Sequence, residues 1–208
     1  MDGGFIMSMA FADLTYTPFA EQWFHDGNGR LRLIRPLRPQ DGNVFGHFLE
    51  ALSPQTRQWF APHPLDTATA MQLAANPQPD QVLRLVILDR SGGEQEGAIL
   101  GYLILQMGLA PHEVARFEPY AIDYQPALCV SLAPVVAEGW QAQGLGAPLM
   151  RHGLHLCREL GRQAVILMGG VQEGNRRAVH FYLRHGFHRL DSFEWPTGVM
   201  NDDMIRWL

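Results

Sequence analysis

The chain has 208 residues, a formal net charge of −5 and a sequence pI of about 6.0. This length accommodates one domain with a substantial core. The negative charge argues against a nucleic-acid-binding protein that works by neutralising phosphates. No apolar run approaches the roughly 18 to 20 residues that span a bilayer, and the start of the chain lacks the basic residues of a secretory signal. We therefore expect a cytoplasmic protein without nucleic-acid or membrane partners.

The residue types exclude several classes of enzyme. All 16 basic residues are arginine. Without lysine there is no Schiff base with pyridoxal phosphate and no P-loop lysine for a nucleotide phosphate. Cys129 and Cys157 are isolated, so neither a disulfide framework nor a structural zinc site is expected. His152 and His155 are three residues apart but have no third candidate ligand nearby, and we expect no bound metal.

The first part of the chain predicts an arm followed by a single domain. Glycines and prolines interrupt any regular pattern over residues 1–28, which we predict to be an N-terminal arm preceding one domain at 29–208. The domain opens with a predicted strand at 31–37. Three predicted helices follow: one at 41–52, one that begins after the N-cap Ser53, and one at 66–75. Two strands are then predicted at 82–88 and 98–107.

The second part continues with a loop at 108–126 and an apolar strand at 127–136. Pro134 cannot donate a ladder hydrogen bond, so we predict that this strand is bulged and splays from its neighbour. A helix, a strand, a helix and two strands follow, predicted at 146–160, 164–168, 176–185, 187–194 and 204–208. The mixed order predicts an α/β (α+β mixed) domain with three layers, α/β/α, around a central mixed sheet.

Six residues between the strand at 127–136 and the next helix carry the first chemical signal: Gln141, Ala142, Gln143, Gly144, Leu145 and Gly146. The two glycines permit backbone angles closed to other residues and let a ligand approach the main chain. Successive N–H groups at a turn and a helix N-terminus bind phosphate, so the pattern predicts a pyrophosphate site. A dinucleotide-binding fold is disfavoured, because Leu149 stands where its third glycine belongs.

The pattern Gln-x-x-Gly-x-Gly resembles the acetyl-CoA-binding signature of the GCN5-related N-acetyltransferase (GNAT) superfamily. A second signature of that superfamily, Asn-x-x-Ala-x-x-Phe-Tyr-x-x-x-Gly-Phe, follows in order at Asn175, Ala178, Phe181, Tyr182, Gly186 and Phe187. The resemblance extends from about residue 31 to residue 208. It implies an acetyl-CoA-dependent enzyme that acetylates a primary amine of a small molecule or peptide by direct transfer. It also makes a homodimer an expected possibility.

The resemblance implies a role for several positions. The backbone of Val135 and Val136 pairs with the pantetheine amides, and the segment 141–146 holds the pyrophosphate. Asn175 contacts the pantetheine arm or the substrate side. Tyr182 is the general acid that protonates the departing thiolate.

The resemblance does not identify the general base. The superfamily often carries a glutamate around the position of Ser131, and this chain has a serine there. Candidates are Ser131 acting through a water and four residues of the predicted loop: His112, Glu118, Asp123 and Tyr124. We take Glu118 as the working choice. A water chain without any base is the alternative.

Two other functions are open. Short similarities at 35–41 and 52–57 to acetyltransferase modules attached to bacterial acyl-CoA synthetase-like proteins make a protein lysine or N-terminal acetyltransferase the alternative. A non-catalytic acyl-CoA-binding sensor is the further alternative, since it would keep the segment 141–146 without the chemistry.

Overall fold

The computed structural model describes residues 20–92 and 97–208, so residues 1–19 of the predicted arm lie outside it. Within these ranges, nine strands form one sheet: β1 Gln22–His25, β2 Leu31–Pro36, β3 Val82–Asp89, β4 Ile99–Met107, β5 Cys129–Val136, β6 Ala164–Leu167, β7 Val171–Gln172, β8 His188–Glu194 and β9 Met200–Trp207. Their order in the sheet is β1-β2-β3-β4-β5-β6-β9-β7, and β8 pairs with β9. Strands β5 and β6 are parallel, and the other described neighbours are antiparallel.

Six described α-helices cover the two faces of this sheet. They are α1 Gly42–Glu50, α2 Pro54–Trp59, α3 Thr67–Ala75 and α4 Pro111–Phe117 on one face, and α5 Gly146–Glu159 and α6 Arg176–Arg184 on the other. Alternate residues of β4 supply the two cores: Leu103 packs towards α5, while Tyr102 contacts Phe45 of α1 with ring centroids 4.8 Å apart. The predicted α/β/α arrangement around a mixed sheet is confirmed.

Among the described elements, β1, α4 and the two-residue strand β7 lie where the sequence indicated no regular structure. Strand β1, within the predicted arm, pairs with β2 at the edge of the sheet. Helix α4 lies inside the segment 108–126, so the prediction of a continuous loop there was wrong. A helix of seven residues gives too little periodicity to be recognised. It is stabilised by Pro111 at its first position, by the Glu113 carboxylate, which accepts from the Ala110 amide at 3.0 Å, and by burial of Phe117.

The predicted splay of β5 is present, and it separates β5 from β6. Pairing with β4 continues from Gly101↔Val136 to Met107↔Val130, whereas pairing with β6 covers Cys129–Leu132 alone. The register with β4 passes through Pro134 without an irregularity, so the bulge expected at this residue is absent on the β4 side.

The hydrogen-bond alternation explains how the strand accommodates a proline. At its two ends the Cys129 carbonyl and the Ala137 amide bond to the β4 side, at 2.9 and 3.1 Å. Odd-numbered residues of β5 therefore exchange hydrogen bonds with β4, and even-numbered residues face the opposite side. The ring nitrogen of Pro134 points to the side where β6 has already diverged, so no ladder hydrogen bond is lost.

Helix α2 depends on its first residues. The Ser53 hydroxyl accepts a hydrogen bond from the Thr56 amide at 3.1 Å, and Pro54 occupies the first helical position. Replacing Ser53 by Ala should lower the free energy of unfolding by about 1 kcal/mol, which corresponds to a decrease in Tm of about 2–4 °C. Thermal unfolding measures this effect, with the exposed Gln55→Ala in the same helix as control. Equal melting of the two variants would contradict the capping role.

Candidate active site

A cleft of about 490 Å³ lies along the second half of β5, where β6 has diverged. Its walls are the end of β5, the turn that follows, the start of α5, one face of α6 and the end of α2. The residues that line the cleft include Trp59, Phe60, Pro134, Val135, Val136, Trp140, Asn175, Arg177, Phe181 and Tyr182. The splayed strand, the glycine turn (residues 141–146) and the second motif of the sequence therefore meet in one cavity.

The end of β5 offers backbone groups to this cleft. Val135 and Val136 both line it, as expected. By the alternation of the strand, Val135 directs its N–H and C=O to β4. The Pro134 carbonyl and both backbone groups of Val136 point away from β4. The Val136 carbonyl accepts from the Gln141 side chain at 2.9 Å. The Pro134 carbonyl and the Val136 amide are thus the backbone groups placed to pair with an extended ligand.

The glycine turn has the backbone geometry of an anion site. Gly144 has φ +81° and Ala142 has φ +61°, both in the left-handed region. Leu145 precedes α5 without a side-chain cap, which leaves the amides of the first helical turn without a side-chain acceptor. A Cβ at Gly146 would lie 3.2 Å from the Phe181 ring, so α6 packs directly on the turn. Uncapped amides and the positive end of the helix dipole together favour a phosphate here.

Neighbouring elements fix the turn. The Arg177 guanidinium donates to Gln141 Oε1 at 2.7 Å, which joins the turn to α6. The Gln143 carbonyl accepts from the Gly27 amide at 3.0 Å, and Asn28 Nδ2 donates to Gln143 Oε1 at 3.1 Å. The turn between β1 and β2 therefore supports the glycine turn, although both residues belong to the predicted N-terminal arm.

The second motif places Asn175 and Tyr182 on the cleft. Asn175 is the N-cap of α6, and its Oδ1 accepts from the Ala178 amide at 3.1 Å, which leaves its N–H₂ group for a ligand. Tyr182 is 8% exposed, between the rings of Phe181 and Phe187 at 5.6 and 5.4 Å. Burial raises the pKa of the Tyr182 phenol, so the hydroxyl keeps its proton at neutral pH. Among the described residues it has no hydrogen-bond partner.

The structure does not bring the candidate bases to the cleft. Glu118, His112 and Asp123 are exposed on the α4 side of the sheet, and none of them lines the cavity. Ser131 is buried and donates its hydroxyl to Glu113 at 2.5 Å. Within the described ranges no aspartate, glutamate or histidine lines the cleft.

Helix α2 contributes side chains that the sequence did not single out for the site. Trp59 is 45% exposed at the cleft, beside the buried Phe60. The Glu138 carboxylate accepts from the amide and the hydroxyl of Ser53 and so joins the start of α2 to the segment before the glycine turn. Burial acts to raise the pKa of Glu138, but these hydrogen bonds hold it below its ordinary value. No local sequence pattern predicts these contacts, because they join residues 85 positions apart.

Trp140 also lies on the cleft, although the glycine turn itself gives no reason to expect it. Its ring stacks beneath the guanidinium of Arg32, whose carbon lies 5.0 Å from the ring centroid. Arg32 is fully buried and paired with Asp26 at 2.7 Å. This ion pair and the cation–π contact position Trp140 at the entry to the turn.

No metal centre is found in the part of the chain that the structure describes. The two histidines of α5 do not converge: His152 is buried against the Ala20 carbonyl at 3.0 Å, and His155 lies 3.8 Å from Glu159. No helix among the described residues is long and apolar enough to cross a bilayer.

Comparison with known proteins agrees with this geometry. The family model described as Acetyltransferase (GNAT) family matches residues 48–187. None of the curated protein sequences matches the chain significantly. Among solved structures, the GNAT domain of S. lividans PAT superposes with a TM-score of 0.71 at 19% identity, over 93% of this chain and 99% of that one.

Two further solved structures share the fold at lower identity. The ribosomal-protein-S5-alanine acetyltransferase from Vibrio fischeri has a TM-score of 0.64 at 9% identity, covering 85% of this chain and 92% of that one. An aminoglycoside acetyltransferase in complex with coenzyme A and kanamycin has a TM-score of 0.57 at 16% identity, covering 84% of this chain and 93% of that one. Since the family model covers most of the chain, and the two motifs meet on one cleft, this protein belongs to the GNAT family of acetyltransferases.

Proposed function

We propose that the protein transfers an acetyl group from acetyl-CoA directly to a primary amine. The observation that carries this proposal is the cleft along the splayed half of β5, with an uncapped helix N-terminus at one end and Tyr182 on its wall. A long, thin ligand with a pyrophosphate and two amides fits these features in order. Solved relatives of this fold hold coenzyme A, which supports the same donor here.

The donor would be held mainly by the backbone. The amides of Gly146 and Ala147, at the start of α5, face the pyrophosphate, with the helix dipole behind them. The Val136 amide and the Pro134 carbonyl pair with the pantetheine arm as an added strand would. The N–H₂ group of Asn175 is a further donor beside the arm.

In the chemical step, the nitrogen of a neutral amine attacks the thioester carbonyl, a C–N bond forms and the C–S bond breaks. The thiolate leaves as a thiol after taking the proton of the Tyr182 hydroxyl, which solvent then replaces. An unpartnered hydroxyl that stays protonated at neutral pH suits this role.

The amine loses its proton to water in this proposal. Glu118, our working choice for the base, is exposed away from the cleft, and the described lining offers no carboxylate or imidazole. Deprotonation by bulk water then predicts a rate that rises with pH as more acceptor becomes neutral.

The two cysteines support direct transfer without an acetyl-cysteine intermediate. Cys129 and Cys157 are fully buried, and neither lines the cleft. Burial raises the pKa of Cys129 to about 11 and that of Cys157 to about 12. Thiols with such values are protonated at neutral pH and are poor nucleophiles.

A peptide amine is the second candidate acceptor, and the cleft itself favours it over a polycation. The described lining has no carboxylate to pair with the several ammonium groups of an aminoglycoside or polyamine. Trp59 and Phe60 instead present apolar surface, on which the residues next to a peptide amine can pack.

Release of free thiol from acetyl-CoA across a panel of amines tests the proposal. The panel comprises simple amines, polyamines, aminoglycosides and peptides with a free N-terminus or lysine. We expect saturable, amine-dependent release, with peptide acceptors giving a higher kcat/KM than polycations. Saturable binding of acetyl-CoA without turnover on any amine would replace the enzyme by an acyl-CoA-binding sensor.

A further inference from the structure

A second cavity of about 900 Å³ continues from the cleft between α5 and α6. We name it the arginine groove, after its cationic lining residues Arg151, Arg158, Arg177, Arg184 and Arg206. It begins at Ala147, directly after the glycine turn, and it shares Ala147, Arg177, Phe181 and Arg184 with the cleft. A ligand held at the turn can therefore extend into the groove without leaving the surface.

The arginine groove concentrates positive charge in a chain whose net charge is −5. Arg151 and Arg158 lie on one face of α5, Arg177 and Arg184 on the facing side of α6, and Arg206 comes from β9. His180 and His185 complete the polar lining, and no carboxylate lines the groove.

The groove arginines lack the carboxylate partner that several other described arginines have. Arg32, Arg35, Arg116 and Arg189 are each paired with an aspartate. Within the described ranges, no groove arginine has an ion pair with a carboxylate. The Nε of Arg206 is buried without a hydrogen-bond partner, and burial and the nearby Arg158 lower the pKa of Arg206. Like charges converge here without compensation from the protein, which is the arrangement of an anion site.

The position along the two helices indicates which anion fits. Arg151 follows Gly146 by five residues, about 7.5 Å along the helix axis. Arg184 follows Phe181, which packs on Gly146, by three residues, about 5 Å along its axis. A phosphate monoester a few bonds from a pyrophosphate at the turn would lie between these two guanidinium groups.

We propose that the arginine groove binds the 3′-phosphate on the ribose of CoA and makes the enzyme selective for CoA over 3′-dephospho-CoA. This inference rests on the proposed function, since it places the remaining phosphate of the same donor. The planar fork of arginine matches the oxygens of a dianionic phosphate, and Arg151 and Arg184 approach it from opposite helices. The other groove arginines raise the local potential.

Calorimetric titration of CoA and of 3′-dephospho-CoA into the wild-type protein and three single variants tests the proposal. We expect the wild type to bind CoA about 10- to 100-fold more tightly. Arg151→Gln and Arg184→Gln should each reduce this ratio, because each weakens the binding of CoA more than the binding of 3′-dephospho-CoA. Arg176→Gln is the control, because this substitution removes the same charge. Arg176 is exposed on α6 and lines neither cavity.

The outcomes separate this inference from the proposed function. Equal wild-type affinity for the two ligands would overturn the groove assignment while leaving the acetyltransferase intact. So would an equal loss of selectivity in Arg176→Gln, because the effect would then come from overall charge. Absence of binding by either ligand would instead reject the proposed function.

Discussion

Replacing Tyr182 by Phe should lower kcat at least about 100-fold and leave the affinity for acetyl-CoA unchanged. General acid catalysis by a positioned side chain contributes roughly 100- to 10,000-fold. The substitution removes one oxygen atom and keeps the ring between Phe181 and Phe187, so packing and cofactor binding are retained. Initial rates of amine-dependent thiol release give kcat, and calorimetry gives the affinity for acetyl-CoA.

Tyr102→Phe is the matched control for Tyr182→Phe. Tyr102 is also a buried tyrosine, on β4, but it faces α1 and does not line the cleft. We expect its variant to keep most of the wild-type kcat. Equal turnover by the Tyr182→Phe variant and the wild type would remove Tyr182 from the acid role and leave protonation of the thiolate to water.

Replacing Gly144 by Val should weaken acetyl-CoA binding about 10- to 100-fold. The residue has φ +81°, a conformation that costs a side-chain-bearing residue roughly 1–2 kcal/mol and a β-branched one more. An added Cβ would also lie 3.3 Å from the Gly27 amide, so the supporting contact with the β1–β2 turn would be disturbed. Both effects move the amides that face the pyrophosphate. Calorimetric titration with acetyl-CoA measures the loss.

Gly139→Val provides the comparison for the glycine turn. Gly139 lies five residues earlier, outside the left-handed region, and a Cβ there would meet nothing within 4 Å. We expect near wild-type affinity from this variant. If Gly144→Val bound acetyl-CoA as tightly as Gly139→Val does, the pyrophosphate would not lie at the turn.

The parts of the site that the sequence predicted are those with a local signal. The glycine turn, α5 and α6 lie within one stretch of chain. The glycine spacing, the N-cap Asn175 and the helical period of this stretch can all be recognised in the sequence. Pro134 also predicted the splay correctly. A residue without a backbone N–H fits in a sheet only where no neighbouring strand needs that donor. The expected bulge did not occur, since the alternation of β5 already turns the ring nitrogen to the unpaired side.

The parts that escaped prediction depend on contacts between distant residues. Trp59 reaches the cleft because α2 is joined through Ser53 to Glu138. Gly27 and Asn28 support the glycine turn across more than a hundred residues. The arginine groove needs α5, α6 and the last strand to converge, and no spacing in the sequence links Arg206 to Arg151. Glu118 was named as the base from its residue type and its place in the predicted loop, and its exposed position gives that role no support.

A crystal structure of the protein with CoA bound tests the central claim most directly. We expect the pyrophosphate oxygens within about 2.7–3.2 Å of the amides at the start of α5. The pantetheine arm should follow the unpaired half of β5, with the sulfur next to the Tyr182 hydroxyl. A CoA molecule bound away from the glycine turn, or with its sulfur far from Tyr182, would contradict the account.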